Sequence, residues 1–135
     1  MKAFRVYADT SVFGGVHDSE FSEASAAFFQ RVKAGHIHLV VSTSVSDELE
    51  TAPESVRQTW RDLMPYAEIL EITEEGLNLM QAYLDAEILT PKWDQDALHV
   101  AMATTSGCPM IVSWNFKHIV NFRKIPLFNA VNCKE

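Results

Sequence analysis

Four side-chain oxygens sit far apart in this chain at positions where chemistry is one of the available readings: Asp9, Glu48, Asp96 and Asn115. Asp9 closes the alternating run FRVYA and is followed by Thr10 and Ser11. Such an aspartate initiates turns, and the end of a first strand is also where a doubly wound fold carries an acidic group. Glu48 lies in SVSDELE, where Val45 and Leu49 mark an apolar side. At 100° per residue Asp47 and Glu50 fall opposite, while Glu48 lies about 60° from Val45. It is either a boundary glutamate whose stem covers apolar surface or a site residue. Asp94 and Asp96 point about 200° apart on a continuous helix, so both cannot serve one site from its body. Asp94 suits an N-cap, and Asp96 suits the first turn, where the helix dipole favours an anion. Ala97, Val100, Ala101 and Ala103 make this helix narrow, which would bring its first turn close to a sheet. Asn115 follows the apolar run Met110-Ile111-Val112 in SWNFKHI, as loop punctuation or as a member of a distant cluster. If the four converge, the like charges raise one another's pKa and cost stability until something neutralises them. A hard divalent cation does that, and Mg²⁺ or Mn²⁺ fits oxygen donors best.

The elements that must position these residues follow from periodicity. Residues 4–8 and IHLVVS at 37–42 read as strands, as do AEILEI at 67–72 and MIVS at 110–113. TSVFGGVHDSE, with two glycines, reads as a loop. A helix is predicted from Phe21 to Gly35 on apolar positions 21, 24, 28 and 32. A short helix over 44–50 has Ser44 as its expected cap, and another runs from Glu54 to Leu63 and stops near Pro65. Thr73 caps a helix whose apolar positions are Leu77, Met80, Leu84 and Ile88, and DQDALHVAMATTSG forms the next, ending at Gly107. IPLFNA is expected to add a short edge strand. Strands alternating with helices imply a single α/β domain over 1–135: a three-layer α/β/α sandwich around a parallel sheet of four to five strands. In such sheets ligands bind beyond the carboxyl ends of the strands, where the strand order reverses, which points at Asp9 and Asn115.

Composition narrows the classes. The chain of 135 residues is 47% hydrophobic and 21% charged, ordinary for one globular domain. No apolar run approaches the ~20 residues needed to cross a bilayer, and MKAFRVYADTS reaches an acid too soon for a signal peptide. The expected setting is therefore soluble and cytoplasmic, with no membrane partner. Cys108 and Cys133 lack metal-type spacing and read as free thiols. A net charge of −7 argues against a general nucleic-acid binder, although bound cations can reverse the local field.

Together and in this order, VYADTSVFGG, STSVSDELE, DQDALHVAMATTSG and MIVSWNFKHI resemble the PIN domain, the metal-dependent ribonuclease fold of VapC-type toxins, over nearly the whole chain. The resemblance implies that Asp9, Glu48 and Asp96 are catalytic and hold Mg²⁺ or Mn²⁺. It puts Asn115 where the family usually has a fourth aspartate, as in a PIN-like subgroup with the WNFKH form. An amide oxygen can coordinate a hard cation but brings no charge, so a second metal should bind more weakly. Thr10 and Ser11 would hold a metal-bound water or a phosphate oxygen. Lys117 and His118, with Arg123 and Lys124, would contact RNA backbone or form a solvated loop. The implied activity is hydrolysis of RNA phosphodiester bonds by the toxin of a toxin–antitoxin pair, with an antitoxin protein as partner and a homodimer as the assembly. The competing reading is a PIN-like module that has lost catalysis through Asn115 and binds RNA or protein.

Other residues invite weaker readings. His36 and His38 would share a strand face, but without a third ligand they read as hairpin surface. His99, one turn after Asp96, is either satisfied locally or a partner of the acidic residues. Trp114 reads as packing rather than as a base-stacking platform. TSVFGG lacks the lysine and spacing of a P-loop.

Overall fold

Short unbroken runs of β-branched and aliphatic residues are at home in a strand covered on both faces. The chain's second strand is of this kind: Leu39, Val40 and Val41 have no exposed surface. Successive strand residues point to opposite faces, so helices must lie on both. The computed structural model, which describes residues 3–86 and 94–114, has this architecture. Strands β1 (Phe4–Ala8), β2 (Ile37–Ser42), β3 (Ala67–Leu70) and β4 (Met110–Val112) form one sheet in the order β3-β2-β1-β4. All pairs are parallel, with Arg5 opposite His38 and Tyr7 opposite both Val40 and Ile111. The chain moves outward from β1 to β3 and then returns to β1's other side for β4. The order therefore reverses between β1 and β4. The expected edge strand IPLFNA lies outside the described residues.

Six helices accompany the sheet among the described residues: α1 (Thr10–Gly15), α2 (Ser22–Lys33), α3 (Thr43–Glu50), α4 (Glu54–Leu63), α5 (Glu74–Asp85) and α6 (Asp94–Thr105). None is long and apolar enough to cross a membrane. A single 3₁₀ turn, Met64–Tyr66, carries Pro65 and feeds β3. One apolar centre joins Phe13 to Phe29, with ring centroids 5.1 Å apart, and to Trp60 edge-on at 5.5 Å. A second centre packs Leu79 and Tyr83 of α5 against Ala97, Val100 and Ala101 of α6. Helix α6 runs opposite to β1. His99 at its middle meets Tyr7, and Ser106 just past its end accepts a hydrogen bond from Arg5.

Three local expectations are corrected. Residues 10–15 are the helix α1 rather than loop, because Val12 and Phe13 are fully buried and anchor it. Helix α3 begins at Thr43 with Ser42, not Ser44, at its N-cap. Ser42 gives no side-chain cap bond, since its hydroxyl is hydrogen-bonded to Tyr7 instead. Helix α5 buries Gly76, Leu79 and Tyr83, while Leu77 is 43% exposed. A Cβ on Gly76 would come within 2.4 Å of the Met102 sulfur, so the glycine sets the approach of α5 to α6. A reading weighted by side-chain hydrophobicity gives glycine no part in a core. Thr73 does cap α5, accepting from the Gly76 amide at 3.0 Å.

Candidate functional site

Asp9 follows β1 at the point where the strand order reverses, the crevice position of open parallel sheets. Its backbone amide still reaches Val112 of β4 at 3.3 Å, so the residue is held by the sheet itself. The side chain turns into α1 as an N-cap. Oδ1 accepts from the Ser11 amide at 3.1 Å and the Ser11 hydroxyl at 2.5 Å, and Oδ2 accepts from the Ser113 hydroxyl at 2.6 Å. Asp9 is 4% exposed. Every donor to it is neutral, and among the described residues no cationic side chain pairs with it. A carboxylate has about four acceptor positions, and these three bonds leave one.

The loop after β4 is tied to the same place. Trp114 donates its amide to the Ser11 hydroxyl at 2.9 Å and its indole N–H to Ser25 at 2.8 Å, and its ring stacks on Phe21 with centroids 5.1 Å apart. Ser25 in turn donates to the Val12 carbonyl. A Cβ on Gly15 would lie 2.6 Å from both the Ser25 hydroxyl and the Trp114 indole nitrogen. The glycine that suggested a loop is therefore what lets α1 close against Trp114. Trp114 packs, as expected for it.

Glu48 extends from α3 toward α6. Its Oε1 lies 3.7 Å from His99 Nε2, an ion-pair distance longer than a hydrogen bond. His99 nevertheless holds the Glu48 carboxyl below the ordinary glutamate range, against a partial burial that pushes the other way. The Thr10 hydroxyl adds a smaller downward pull. Thr10 Oγ1 is itself buried without a hydrogen-bond partner, so that pull is that of a nearby dipole short of bonding geometry. On the far side of the ring, His99 Nδ1 is 2.9 Å from the Tyr7 hydroxyl, which is also hydrogen-bonded to Ser42 at 2.9 Å. Tyr7 is fully buried, and burial raises its phenol far above the ordinary value. Ser42 pulls the other way, while the charges of Asp9 and Glu48 add to the rise. The two carboxylates thus act on one phenol from two elements.

The first turn of α6 carries Asp96, half-buried and not without a partner. It precedes His99 by three residues, the spacing that keeps two side chains on one side of a helix. Asn115, Lys117 and His118 lie outside the described residues, as do Arg123 and Lys124. Among the described residues no three or more His, Cys, Asp or Glu side chains gather into a group that would by itself hold a metal ion. The donor chemistry nonetheless suits a hard cation: the Asp9 carboxylate with an open position, the Glu48 carboxylate, and the orphan Thr10 oxygen. Mg²⁺ commonly takes one or two carboxylates and fills its remaining positions with water and phosphate.

Three contributors to this arrangement were not singled out in the sequence: Tyr7, Ser42 and Ser113. Tyr7 read as one of the alternating residues of a strand, and the serines as strand ends. Alternation alone carried a partial signal, since Tyr7 and Asp9 are two apart and share a sheet face. No protein-family model matches this sequence, and no curated protein matches it.

Proposed function

We propose that this protein is a metal-dependent ribonuclease that hydrolyses RNA phosphodiester bonds. The observation that carries this reading is the setting of Asp9: a buried carboxylate at the reversal point of a parallel sheet, met among the described residues only by neutral donors. Burying such a group is costly unless its charge is compensated. Three hydrogen bonds compensate part, and a cation at the open position completes it. Mg²⁺ or Mn²⁺ bound there supplies an activated water and stabilises charge on the phosphate and leaving oxygen.

The chain's own residues have distinct parts in this proposal. Asp9, anchored by β1, β4 and the start of α1, is the fixed ligand. Glu48, with its carboxyl held below the ordinary range, stays anionic through neutral pH. That suits a charge that attracts a cation and makes it a weak base. Thr10 and Ser11 are the proposed holders of a metal-bound water or a phosphate oxygen; the Thr10 hydroxyl is buried with its bonding capacity unspent, and the Ser11 hydroxyl is already engaged by Asp9 and Trp114. Asp96 and Asn115 complete the proposed donor set, and Lys117 and His118 contact the RNA backbone. A net charge of −7 also makes a bound cation the natural bridge to a polyanion. The PIN-domain resemblance supplies the rest: a toxin's role, an antitoxin protein as partner, a homodimer, and a cytoplasmic setting.

The test is cleavage of structured RNA by purified protein with Mg²⁺ or Mn²⁺, beside Asp9→Asn. Loss of about 3 kcal/mol of transition-state stabilisation, about 100-fold in rate, is expected of the variant. Equal cleavage by both proteins removes the claim. Folded protein that takes up no Mn²⁺ at millimolar concentration supports the binding-module reading instead.

A further inference from the structure

Glu48 has a problem that Asp9 does not. Its side chain is 46% exposed, it stands on a short helix, and no backbone donor holds it. A glutamate so placed samples several rotamers, and ordering it costs side-chain entropy of the order of 1–2 kcal/mol. A ligand or charge that must be ready at one place needs support from behind.

That support is visible. His99 is 4% exposed in the middle of α6, a helix that otherwise buries apolar side chains such as Leu98, Val100 and Met102. Its two nitrogens face two different groups, Tyr7 at 2.9 Å and Glu48 at 3.7 Å. The Tyr7 ring lies 5.9 Å from the imidazole, tilted at 47°, so it braces the plane as well as the nitrogen. Tyr7 is fixed in turn by β1 and by Ser42. Ser42 is the last residue of β2 and the N-cap of α3, the helix that carries Glu48. The contacts therefore close a loop: β2 to Ser42, Tyr7, His99, Glu48 and back through α3. A ring needed only for packing would be served by leucine or phenylalanine without burying two polar nitrogens.

We propose that His99 is a positioning residue for Glu48, aiming its carboxylate at the Asp9 end of the crevice, and that Tyr7 and Ser42 fix the ring for this task. The proposal rests on the ribonuclease reading for its purpose but not for its geometry. His99 touches neither substrate nor cation in it. His99 Nδ1 pairs with the Tyr7 hydroxyl, which in turn donates to Ser42 Oγ, while Nε2 faces the Glu48 carboxylate.

The test separates the two nitrogens. In His99→Gln the amide nitrogen takes the place of Nε2, and in His99→Asn that of Nδ1. Three-bond couplings along the Glu48 side chain, measured by NMR on metal-free protein, report its rotamers directly. One dominant rotamer is expected in the wild type and in His99→Gln, and averaging in His99→Asn and in Tyr7→Phe. In Mn²⁺ calorimetry His99→Asn should lose about tenfold in affinity, with His99→Gln within about threefold of the wild type. Averaged Glu48 couplings in the wild type, or equal ordering in His99→Asn, overturn the proposal. So does equal disorder in the Gln and Asn variants, which would reduce the ring to packing. Should the His99 variants not fold, Tyr7→Phe, which keeps the ring volume, decides by the same couplings. An ordered Glu48 with the expected variant pattern, in a protein that binds no Mn²⁺, upholds the positioning role and defeats the ribonuclease reading alone.

Discussion

Glu68 and Glu48 each face a histidine from a neighbouring element, and each carboxyl is held below its ordinary range chiefly by that histidine. The settings differ. At the starts of the strands, Glu68 Oε1 meets His38 at 2.8 Å and Oε2 meets Arg5 at 3.1 Å, so both oxygens have a cationic or ionisable partner. The three side chains come from β3, β2 and β1 and are each about a third exposed or more. At the ends of the strands, Glu48 has one ionisable partner at 3.7 Å, and that partner is buried and anchored on Tyr7. Close by, Asp9 is buried with, among the described residues, neutral donors alone. One end of the sheet is complete in charge and exposed; at the other, Glu48 is about half exposed with one ionisable partner, and Asp9 is buried and, among the described residues, without a cationic one. Compensated surface charge contributes little and costs little. Uncompensated buried charge costs stability, and where the fold keeps it, a function that takes up the charge is the natural reason.

The largest expected contrast is in catalysis. Asp9→Asn should lower RNA cleavage about 100-fold, while Glu68→Gln leaves it unchanged; a comparable loss in Glu68→Gln would erase the distinction between the two ends. Next comes stability. Tyr7→Phe strips His99 Nδ1 and Ser42 Oγ of a buried partner and should cost about 1–3 kcal/mol in urea unfolding. Arg5→Gln, at the exposed end, should cost less than about 1 kcal/mol. Metal affinity is third: Glu48→Gln should weaken Mn²⁺ binding by about tenfold, whereas Glu68→Gln and wild type should give superimposable isotherms.

The smallest effect is the pH and salt response of the exposed cluster. The folded pKa of Glu68 lies below its ordinary value of 4.5. Its contribution is thus fully present above that value and is lost as pH falls through the folded pKa. Screening at an exposed site keeps the contribution to about 0.5 kcal/mol or less. Urea midpoints of wild type and Glu68→Gln should differ slightly at neutral pH and converge once the pH falls below the folded pKa of Glu68, and also at about 1 M salt. A difference that persists in acid would mean that the glutamate acts through packing rather than charge.

Much of the frame was legible along the chain because periodicity and β-branching are local. β1 and β2 and the helix over Glu54–Leu63 have the predicted bounds. The parallel α/β sandwich followed from the alternation of elements. The site was legible in part. Asp9 stood out as an acid closing an apolar strand, and Glu48 by its angle to Val45. His99 was open between two readings, and its partners turned out to lie on β1 and α3 rather than on its own helix. His38 is not hairpin surface but one corner of a three-strand ion cluster. What pattern missed was carried by small or ordinary residues. Gly15 and Gly76 are close approaches of one element to another, and Tyr7 looked like any strand aromatic.

By itself, the sequence determined most of the strand and helix segments, that the sheet must be buried on both faces, and that an acid would stand at the end of the first strand. These depend on neighbours within a few residues, whose spacing is written in the chain. Only the tertiary structure decided that Ser113 would bind Asp9 across 104 positions and that Tyr7 would reach His99 across 92. It also decided which of two glutamates, each beside a histidine, would be charge-complete. Pairings over that distance are chosen by strand order and helix packing, and no local periodicity encodes them.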